Sequence, residues 1–487
     1  MLTPALARPA ARRRENRTAF ARGSRKARVA PVRPAFFVLN QGAQGPLVTS
    51  NFSRSAASGP AAGRTVGKTF PPPSYAGDWI SDDRFRYHKT SSLASAPMLR
   101  FETAGESHGE CLVATVTGLP AGVPVSLAFI NRQLWRRQQG YGRGGRMKIE
   151  TDCAEIVSGV RHSKTIGSPV ALLIRNRDWE NWRESLPVED YPGSAEKAKP
   201  VTRPRPGHAD LAGCLKYDFP EARYILERAS ARETAARVAA GAVAKLLLSE
   251  FGIEVLAHVI AVGHAALGRP AAWEEIAALE KRSEILLGCV DSAVEQRMKD
   301  VVDEAYRTGD TVGGVFEVVA HNVPPGLGAH TEWDRRLDAR LAQAIVSMQA
   351  VKAVAIGEGV ENAARFGSEA QDPIRYDPQQ RRFLRPSNRA GGIEGGMTNG
   401  EDVVVRGYLK PISTLRKPLE SVDLRTRATS LAAYERSDVC VLPAAAVIGE
   451  AMVALALAGA LIEKFGGDSL PEMKRNFDGY LEQVKNF

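Results

Sequence analysis

Cysteine is scarce in this sequence, and the spacing of the few cysteines excludes two kinds of site. Five occur in 487 residues: Cys111, Cys153, Cys214, Cys289 and Cys440. None forms a CxxC pair or stands at metal-ligand spacing from a histidine, so the sequence supports neither a disulfide framework nor a zinc site. We therefore expect no metal centre, and a reducing compartment in which the thiols stay free.

Acidic residues are nearly missing from the first fifth of the chain. Residues 1–97 hold 16 Lys and Arg but only 4 Asp and Glu, a net charge of +12. Residues 98–487 hold 49 basic and 51 acidic residues, a net charge of −2. The formal charge of +10 for the whole chain therefore comes from its beginning. A nearly neutral remainder gives no electrostatic argument for binding nucleic acid.

Residues 1–97 also lack the aliphatic periodicity that a core requires, and "FPPPSYAG" near their end excludes regular structure. We predict a disordered extension at 1–97 and a catalytic domain at 98–487. Two alternatives stay open: an Arg-rich organelle transit peptide, or sequence upstream of a true start at Met98. The short run "AFFVLN" does not fit a secretory signal. We expect a cytoplasmic protein, or a plastid one if the segment is a transit peptide.

The most apolar run, 444–462, is long enough to raise the question of a membrane span. It is rich in alanine and contains Glu450, which is costly in a lipid core. The run therefore predicts a buried core helix and no membrane partner.

Strand and helix patterns are interleaved after residue 98. Residues 230–252 predict a helix with Ser230 as N-cap and Glu233 completing a capping box, and residues 332–349 predict another. The predicted strands lie at 111–125 (a hairpin turning at "GLPAG"), 154–174 and 253–263. This order favours an α+β fold with layered sheets around helices over a doubly wound parallel sheet.

Six loops combine arginine or lysine with glycine, proline or hydroxyl residues. Glycine exposes backbone N–H groups and the guanidinium fork grips oxyanions, so such loops suit phosphates and carboxylates. Each loop alone fits an ordinary solvated turn equally well, but their convergence would make a cationic site. The loops lie at 136–146, 202–210, 227–233, 388–400, 408–418 and 434–438.

Two of the eight histidines lie within such surroundings. His108 stands in "GESHG" and His208 in "RPRPGHAD", whereas His258 and His321 lie in strand-like stretches typical of structural histidines. An imidazole can give or take a proton near neutral pH. The residues alone therefore indicate an enzyme acting on a polyanionic small molecule, without naming the reaction.

Seven stretches carry a resemblance to a known family. They read "MLRFETAGESHG", "RRQQGYGRGGRMKIE", "RPRPGHAD", "ERASARETAARVAAGAVAK", "NRAGGIEGGMTNG", "KPISTL" and "YERSD". In this order and spacing they resemble chorismate synthases of the bacterial type, from Met98 to about the C-terminus. The resemblance implies a layered β-α-β sandwich, with a helical layer between antiparallel sheets, and a homotetramer.

The resemblance also implies a reaction. Family members are carbon–oxygen lyases that convert 5-enolpyruvylshikimate 3-phosphate to chorismate and phosphate by anti-1,4-elimination. This is the last step of the shikimate pathway, which leads to aromatic amino acids. It requires reduced FMN, with NADPH as an indirect reductant. Since nothing in residues 1–97 matches a flavin reductase, we expect an external reductase to supply the reduced flavin.

Individual residues receive roles from the same resemblance. His108 matches the histidine that protonates the departing phosphate, and His208 the one that protonates the flavin near N1. Ser437 and Asp438 match the pair that helps the flavin N5 to lose its proton. Substrate-binding residues are Ser107, Arg137, Arg143, Arg146, Arg205 and Arg232. FMN-binding residues are Arg228, Ala229, Ser230, Gln349, Ala350, Gly395, Lys410, Pro411, Ile412, Ser413, Thr414 and Arg436.

One position departs from the family pattern. Ala229 stands where the family usually has a second serine, which removes a hydrogen bond with a net value of roughly 1 kcal/mol. Two other readings stay open. Ala229 leaves open a flavin-binding relative without turnover, and the Arg/Gly-rich loops leave open a nucleic-acid-binding protein. The charge of −2 on residues 98–487 argues against the second.

Overall fold

The computed structural model describes residues 99–144, 151–435 and 437–487, which belong to one compact unit. The predicted extension at 1–97 lies outside the described residues, and so do Arg146 and Arg436. The division into an extension and a catalytic domain therefore stays a prediction.

Strands and helices alternate along the described chain. The strands are β1 (Arg100–Ala104), β2 (Cys111–Thr117), β3 (Ala154–Ser158), β4 (Val160–Arg161), β5 (Lys164–Thr165), β6 (Val170–Arg175), β7 (Glu254–Val262), β8 (Ala265–Ala266), β9 (Gly314–His321), β10 (Val351–Ile356), β11 (Arg375–Asp377), β12 (Arg382–Leu384), β13 (Ile393–Glu394), β14 (Met397–Thr398), β15 (Val403–Leu409), β16 (Glu420–Val422) and β17 (Thr429–Leu431). The helices are α1 (Leu127–Gln138), α2 (Ser194–Lys197), α3 (Asp210–Tyr217), α4 (Arg223–Ala229), α5 (Thr234–Ser249), α6 (Trp273–Glu280), α7 (Ser292–Thr308), α8 (Leu337–Val346), α9 (Val360–Ala363), α10 (Gly367–Ala370), α11 (Leu442–Phe465) and α12 (Leu470–Lys485).

Two antiparallel sheets form the outer layers. The first has the strand order β1-β2-β6-β3 and the second the order β10-β15-β9-β7-β8. Strand β2 alternates buried and half-buried residues, as expected of a strand with one face on the core. The remaining short strands form four two-stranded ribbons.

A layer of helices separates the two sheets. Helix α5 packs on β1, β2 and β6 of the first sheet, and α11 packs on β7 and β9 of the second. The two helices also pack on each other, and α1 and α8 lie beside them. The α+β class and the helical layer between antiparallel sheets are therefore confirmed.

Helix α11 is the centre of this layer. By length and composition it is the candidate membrane span among the described helices, yet 94% of its most apolar window is buried inside the chain. Glu450 accepts two hydrogen bonds from Arg136, at 2.6 and 2.7 Å, and one from Lys245 at 2.7 Å. Burial acts to raise the pKa of Glu450, but these two cations lower it. The prediction of a buried core helix is confirmed.

Two local predictions are wrong. Residues 111–125 do not form a hairpin, because β2 pairs with β1 and β6 and the following turn makes only isolated bridges. The capping box also fails: Ser230 caps a 3-10 turn at Ala231–Glu233, and α5 starts after it. The reason is that the carboxylate of Glu233 bonds Arg237 at 2.8 Å and Gln349 at 2.9 Å.

Candidate active site

A cleft of about 890 Å³ brings the predicted loops together. This volume is near the upper end of small-molecule sites and has room for more than one ligand. Loop 105–109 and five of the six arginine-rich loops contribute to its lining, while loop 388–400 does not. The predicted site residues in the lining are Ser107, His108, Arg137, Arg143, Arg205, His208, Ala229, Ser230, Arg232, Gln349, Ala350, Lys410, Ile412, Ser413, Thr414, Ser437 and Asp438.

The cleft opens where the helical layer meets the loops. Its wall includes the junction between α4 and α5 and the end of β15, and the first turns of α11 contribute Ala444, Ala445 and Ile448. Rigid elements therefore carry the loops that present the polar groups.

His108 is held by a buried carboxylate. Its Nδ1 lies 2.9 Å from Oε1 of Glu227, and its backbone N–H donates to Oε2 at 2.8 Å. Because Nδ1 is engaged, Nε2 is the ring nitrogen left for the cleft. The ring also stacks on Trp182 with centroids 4.1 Å apart.

Glu227 is held in turn by Arg223, one helical turn earlier on α4, at 3.3 Å. Burial acts to raise the pKa of Glu227, but hydrogen bonds and charge from His108 and Arg223 outweigh it and lower the pKa. The carboxylate is therefore an anion next to the imidazole at neutral pH.

His208 has the same construction, built locally. Its Nδ1 lies 2.5 Å from Oδ1 of Asp210, which is fully buried. Arg205 donates to both oxygens of that carboxylate, at 2.9 and 3.0 Å, and to Thr414 at 3.0 Å. Burial acts to raise the pKa of Asp210, but His208 and Arg205 lower it well below its usual range. Nη2 of Arg205 also lies 3.0 Å from Nδ1 and 3.4 Å from Nε2 of the ring, and His208 lines the cleft.

Two buried arginines, Arg137 and Arg232, share one carboxylate, that of Asp152. Arg232 donates to Oδ1 of Asp152 at 2.5 Å, and Arg137 to Oδ2 at 3.4 Å. Burial and two neighbouring arginines, Arg232 and Arg143, lower the pKa of Arg137 to about 10 despite Asp152. Arg137 is therefore still charged at neutral pH, and two guanidiniums share one carboxylate. The pair carries a net positive charge suited to an anionic ligand.

Arg143 and Asp438 join two distant loops. Nη1 of Arg143 lies 2.8 Å from Oδ2 of Asp438, whose Oδ1 accepts from the backbone N–H of Gly144 at 2.5 Å. The hydroxyl of Ser437 donates to the backbone oxygen of Asp438 at 3.1 Å. The predicted Ser437–Asp438 pair therefore lies beside a substrate-type arginine.

Parts of the predicted flavin-binding segments, at 349–350 and within 410–414, also line the cleft. Lys410 donates to the backbone oxygen of Gly207 at 2.6 Å, which ties the end of β15 to the His208 loop. Burial and Lys352 lower the pKa of Lys410. Ala350 has a φ of 68°, a strained conformation for a residue with a Cβ, and such strain concentrates at functional sites.

Three predicted FMN contacts are not in the lining. Arg228 is exposed and donates to the backbone oxygens of Thr103 and Gly105. Gly395 is exposed on the turn between β13 and β14, and Pro411 is also outside the cleft lining. Their assignment to FMN stays a prediction, as does that of Arg146 and Arg436.

Sequence reasoning missed the residues that support the predicted ones. Glu227, Arg223 and Trp182 surround His108, and Asp152 joins the arginine pair. The spacing of Arg223 and Glu227 by four residues in a helix was a usable signal of an ion pair. Nothing in the sequence places Trp182 or Asp152 at the cleft.

The cleft has no metal-binding character in the described ranges. Residues 99–144, 151–435 and 437–487 contain no group of three or more His, Cys, Asp or Glu that could hold an ion. All five cysteines, which the structure describes, are unpaired. The cleft brings together arginine side chains, which can bind anions, and two histidines, which can transfer protons.

Comparisons with known proteins agree on one family. A family model described as chorismate synthase matches residues 99–462. The chorismate synthase of Solibacter usitatus is 73% identical over 390 residues, which cover 80% of this chain and 100% of that protein. That of Koribacter versatilis is 67% identical over 395 residues, with the same coverage of both chains.

A solved structure gives the same result. It is described as a crystal structure of chorismate synthase and is 42% identical in sequence. The match covers 81% of this chain and 100% of that one, with a TM-score of 0.65.

Proposed function

The chain belongs to the chorismate synthase family, and we propose that it converts 5-enolpyruvylshikimate 3-phosphate to chorismate and phosphate. In this proposal the reaction is a 1,4-elimination that uses reduced FMN and makes the chain a carbon–oxygen lyase. One observation carries the proposal: two histidines, each held by a buried carboxylate, line the same arginine-lined cleft.

The charges of the cleft support this substrate. 5-Enolpyruvylshikimate 3-phosphate carries one phosphate and two carboxylates. Each of these anionic groups needs charged hydrogen-bond donors once water is removed from it. Arg137 and Arg232 share the single carboxylate of Asp152, so this cluster retains a net positive charge, while Arg205 and Arg143 add guanidinium donors that are each paired with one carboxylate. Oxyanions held by guanidinium forks are bound with defined orientation, which an elimination requires.

The residues present also fit a flavin. Oε1 of Gln349 is buried in the cleft wall and has no hydrogen-bond partner among the described residues, and a reduced isoalloxazine ring carries N–H donors. Lys410 and Ser413 lie on the same wall and suit its carbonyl or phosphate oxygens. When bound, reduced FMN supplies the electron density that helps to expel phosphate.

Protein groups then handle the protons. Nε2 of His108 donates a proton to the departing phosphate oxygen, and the arginines stabilise the charge that develops there. His208, which also lines the cleft, would be the second proton donor, in the role toward the flavin that the family resemblance gives it. Asp438, which Arg143 and Gly144 orient, would accept the proton that the flavin N5 loses, with Ser437 beside it.

We extend the proposal to the protein's partners. The family implies a homotetramer, an external flavin reductase, and NADPH as an indirect reductant. The cytoplasm is the proposed location, with a plastid as the alternative for a cleaved extension. No nucleic acid or membrane partner is part of the proposal.

Anaerobic turnover of the full chain tests the reaction. Chorismate and phosphate are measured with enolpyruvylshikimate phosphate and FMN, with and without dithionite. Formation of both products only with reduced flavin supports the proposal. If FMN and substrate bind without turnover, the chain is a flavin-binding relative without this activity, and if neither binds, the substrate assignment is wrong.

A further inference from the structure

Glu227 reaches His108 from a different part of the fold. The two residues are 119 positions apart in sequence, and Glu227 is only 1% exposed on α4. One carboxylate oxygen takes the backbone N–H of His108, and the other lies against Nδ1. A single side chain therefore fixes both the backbone and the ring of His108.

We propose that Glu227 is a positioning residue that holds His108 as the Nδ1–H tautomer, so that Nε2 alone exchanges a proton in the cleft. The inference deepens the proposed function, and its catalytic consequence rests on that function. The orientation of the His108 ring does not depend on the proposed function.

The ring of His108 has two rotational freedoms, and a different neighbour restricts each. Stacking on Trp182, with 24° between the planes, sets the plane of the ring. A half-turn about the Cβ–Cγ bond keeps that plane but would bring the Cδ2–H group against Glu227 instead of Nδ1–H. The carboxylate disfavours that alternative, because a C–H group cannot replace the lost hydrogen bond.

Glu227 is itself prevented from moving. Arg223 bonds it at 3.3 Å and is held on its other side by Glu435 at 3.3 Å and by the backbone oxygen of Lys199 at 2.7 Å. The backbone N–H of Ser107 donates to the backbone oxygen of Glu227 at 3.0 Å, which fastens the loop to the helix. A rigid support of this kind is what precise proton delivery requires.

The proton balance assigns no transfer to Glu227. In the proposed step, the C–O bond to phosphate breaks and its electron pair leaves with the phosphate oxygen. The Nε2–H bond of His108 breaks as the new O–H bond forms, and the ring becomes neutral while keeping its Nδ1 proton. Glu227 stays an anion throughout, as the carboxylate of a catalytic triad does.

The chain offers a matched control for a test. Glu317 also pairs with a histidine, with Oε1 3.0 Å from Nε2 of His258, and it also bonds Arg406 at 2.7 Å. Neither Glu317 nor His258 lines the cleft. The variants Glu227→Gln and Glu317→Gln therefore remove the same charge from the same kind of pair, one at the cleft and one away from it.

The kinetic readout is the split between kcat and KM. We expect Glu227→Gln to lower kcat by about 10²-fold, within the range that a general acid contributes, with little change in KM. Glu317→Gln should keep the wild-type kcat, and Glu227→Asp, which retains the charge, should recover part of the loss. Equal kcat values for Glu227→Gln and Glu317→Gln would overturn the inference.

The second readout needs no turnover. Solid-state ¹⁵N NMR of histidine-labelled full-length protein, with His108 assigned by its absence in His108→Gln, reports which nitrogen of the neutral ring is protonated. We expect Nδ1–H in the wild type and loss of that preference in Glu227→Gln. An Nε2–H ring in the wild type would overturn the inference. Absence of chorismate formation would contradict the proposed reaction instead, and the nitrogen shifts would still decide the orientation.

Discussion

The two histidines of the cleft have the same chemistry but different origins. Each imidazole places Nδ1 on a buried carboxylate that an arginine holds. Arg205, His208 and Asp210 lie within six consecutive residues, which run from a proline-rich loop into the first residue of α3. His108 and Glu227, by contrast, meet only because loop 105–109 packs on α4.

The difference shows two ways to position a proton donor. The His208 site needs little more than its own loop, since Asp210 bonds the ring, the guanidinium and the backbone N–H of Arg205. The His108 site depends on tertiary packing and on an aromatic stack, and its side chain is also less exposed, 11% against 20%. Changes far from the cleft should therefore disturb His108 more than His208.

Removing either imidazole should have the largest effect. His108→Gln and His208→Gln should each lower turnover by roughly 10²–10⁴-fold, the usual contribution of general acid–base catalysis. Anaerobic steady-state kinetics with reduced FMN measure this. His321→Gln is the control, since its ring stacks on Trp273 outside the cleft lining. Near-normal turnover in either cleft variant would mean that its histidine carries no essential proton.

The two carboxylates should differ in their effect on stability. Asp210→Asn leaves the buried Arg205 with no anionic partner among its described contacts, whereas Glu227→Gln leaves Arg223 paired with Glu435. Breaking a buried pair in this way costs roughly 3–5 kcal/mol, so Asp210→Asn should approach that loss and Glu227→Gln should fall below it. Urea unfolding of both variants measures the order, and the reverse order would contradict this account of the two sites.

Acid should weaken both sites in the same pH range. Burial raises the pKa of Asp210 and of Glu227, but their histidine and arginine partners outweigh it and lower both values. A carboxylate with a lowered folded pKa stabilises the protein above its unfolded pKa, about 3.9 for Asp and 4.3 for Glu, and this is lost as pH falls further. Thermal unfolding should show a decline below about pH 4 that is smaller in Asp210→Asn and Glu227→Gln. An unchanged decline in both variants would contradict the assignment.

Ala229 should give the smallest effect. Ala229 lines the cleft, and the variant Ala229→Ser restores the hydroxyl that the family pattern usually has at this position. A net gain of about 1 kcal/mol corresponds to roughly fivefold tighter binding of FMN or substrate. Calorimetric titration measures the change, with Ala209→Ser as a control that adds a hydroxyl elsewhere in the lining. Weaker binding in Ala229→Ser would show that this chain has adapted to alanine.

The sequence predicted contacts that form locally and missed those that form through packing. Its arginine-rich loops and both histidines were found because composition and spacing are local properties. The helices α5 and α8 followed from helical patterns, and α11 from its long alanine-rich apolar run. The hairpin at 111–125 was wrong because strand partners are chosen at long range. The capping box was wrong because Gln349 and Arg237 take the carboxylate of Glu233.

The same reasoning explains which residues the sequence analysis missed at the site. Glu227 has the sequence pattern of a helix residue, and only the approach of His108 buries it. Trp182 stands in a mostly exposed segment with no periodicity, so nothing marked it as a stacking partner. Gly395 followed from the family pattern alone, and in this chain it lies outside the cleft lining.

The position of α11 has a consequence for how the chain is made. Every strand of both sheets precedes α11 in sequence, yet the helix lies between those sheets. Ribosomal synthesis therefore delivers the middle of the molecule after its two outer layers. Until that helix emerges, the apolar faces of α5, β7 and β9 lack their partner and are open to aggregation or chaperone capture. We expect folding to be completed late and slowly, as is usual when contacts join distant parts of a chain.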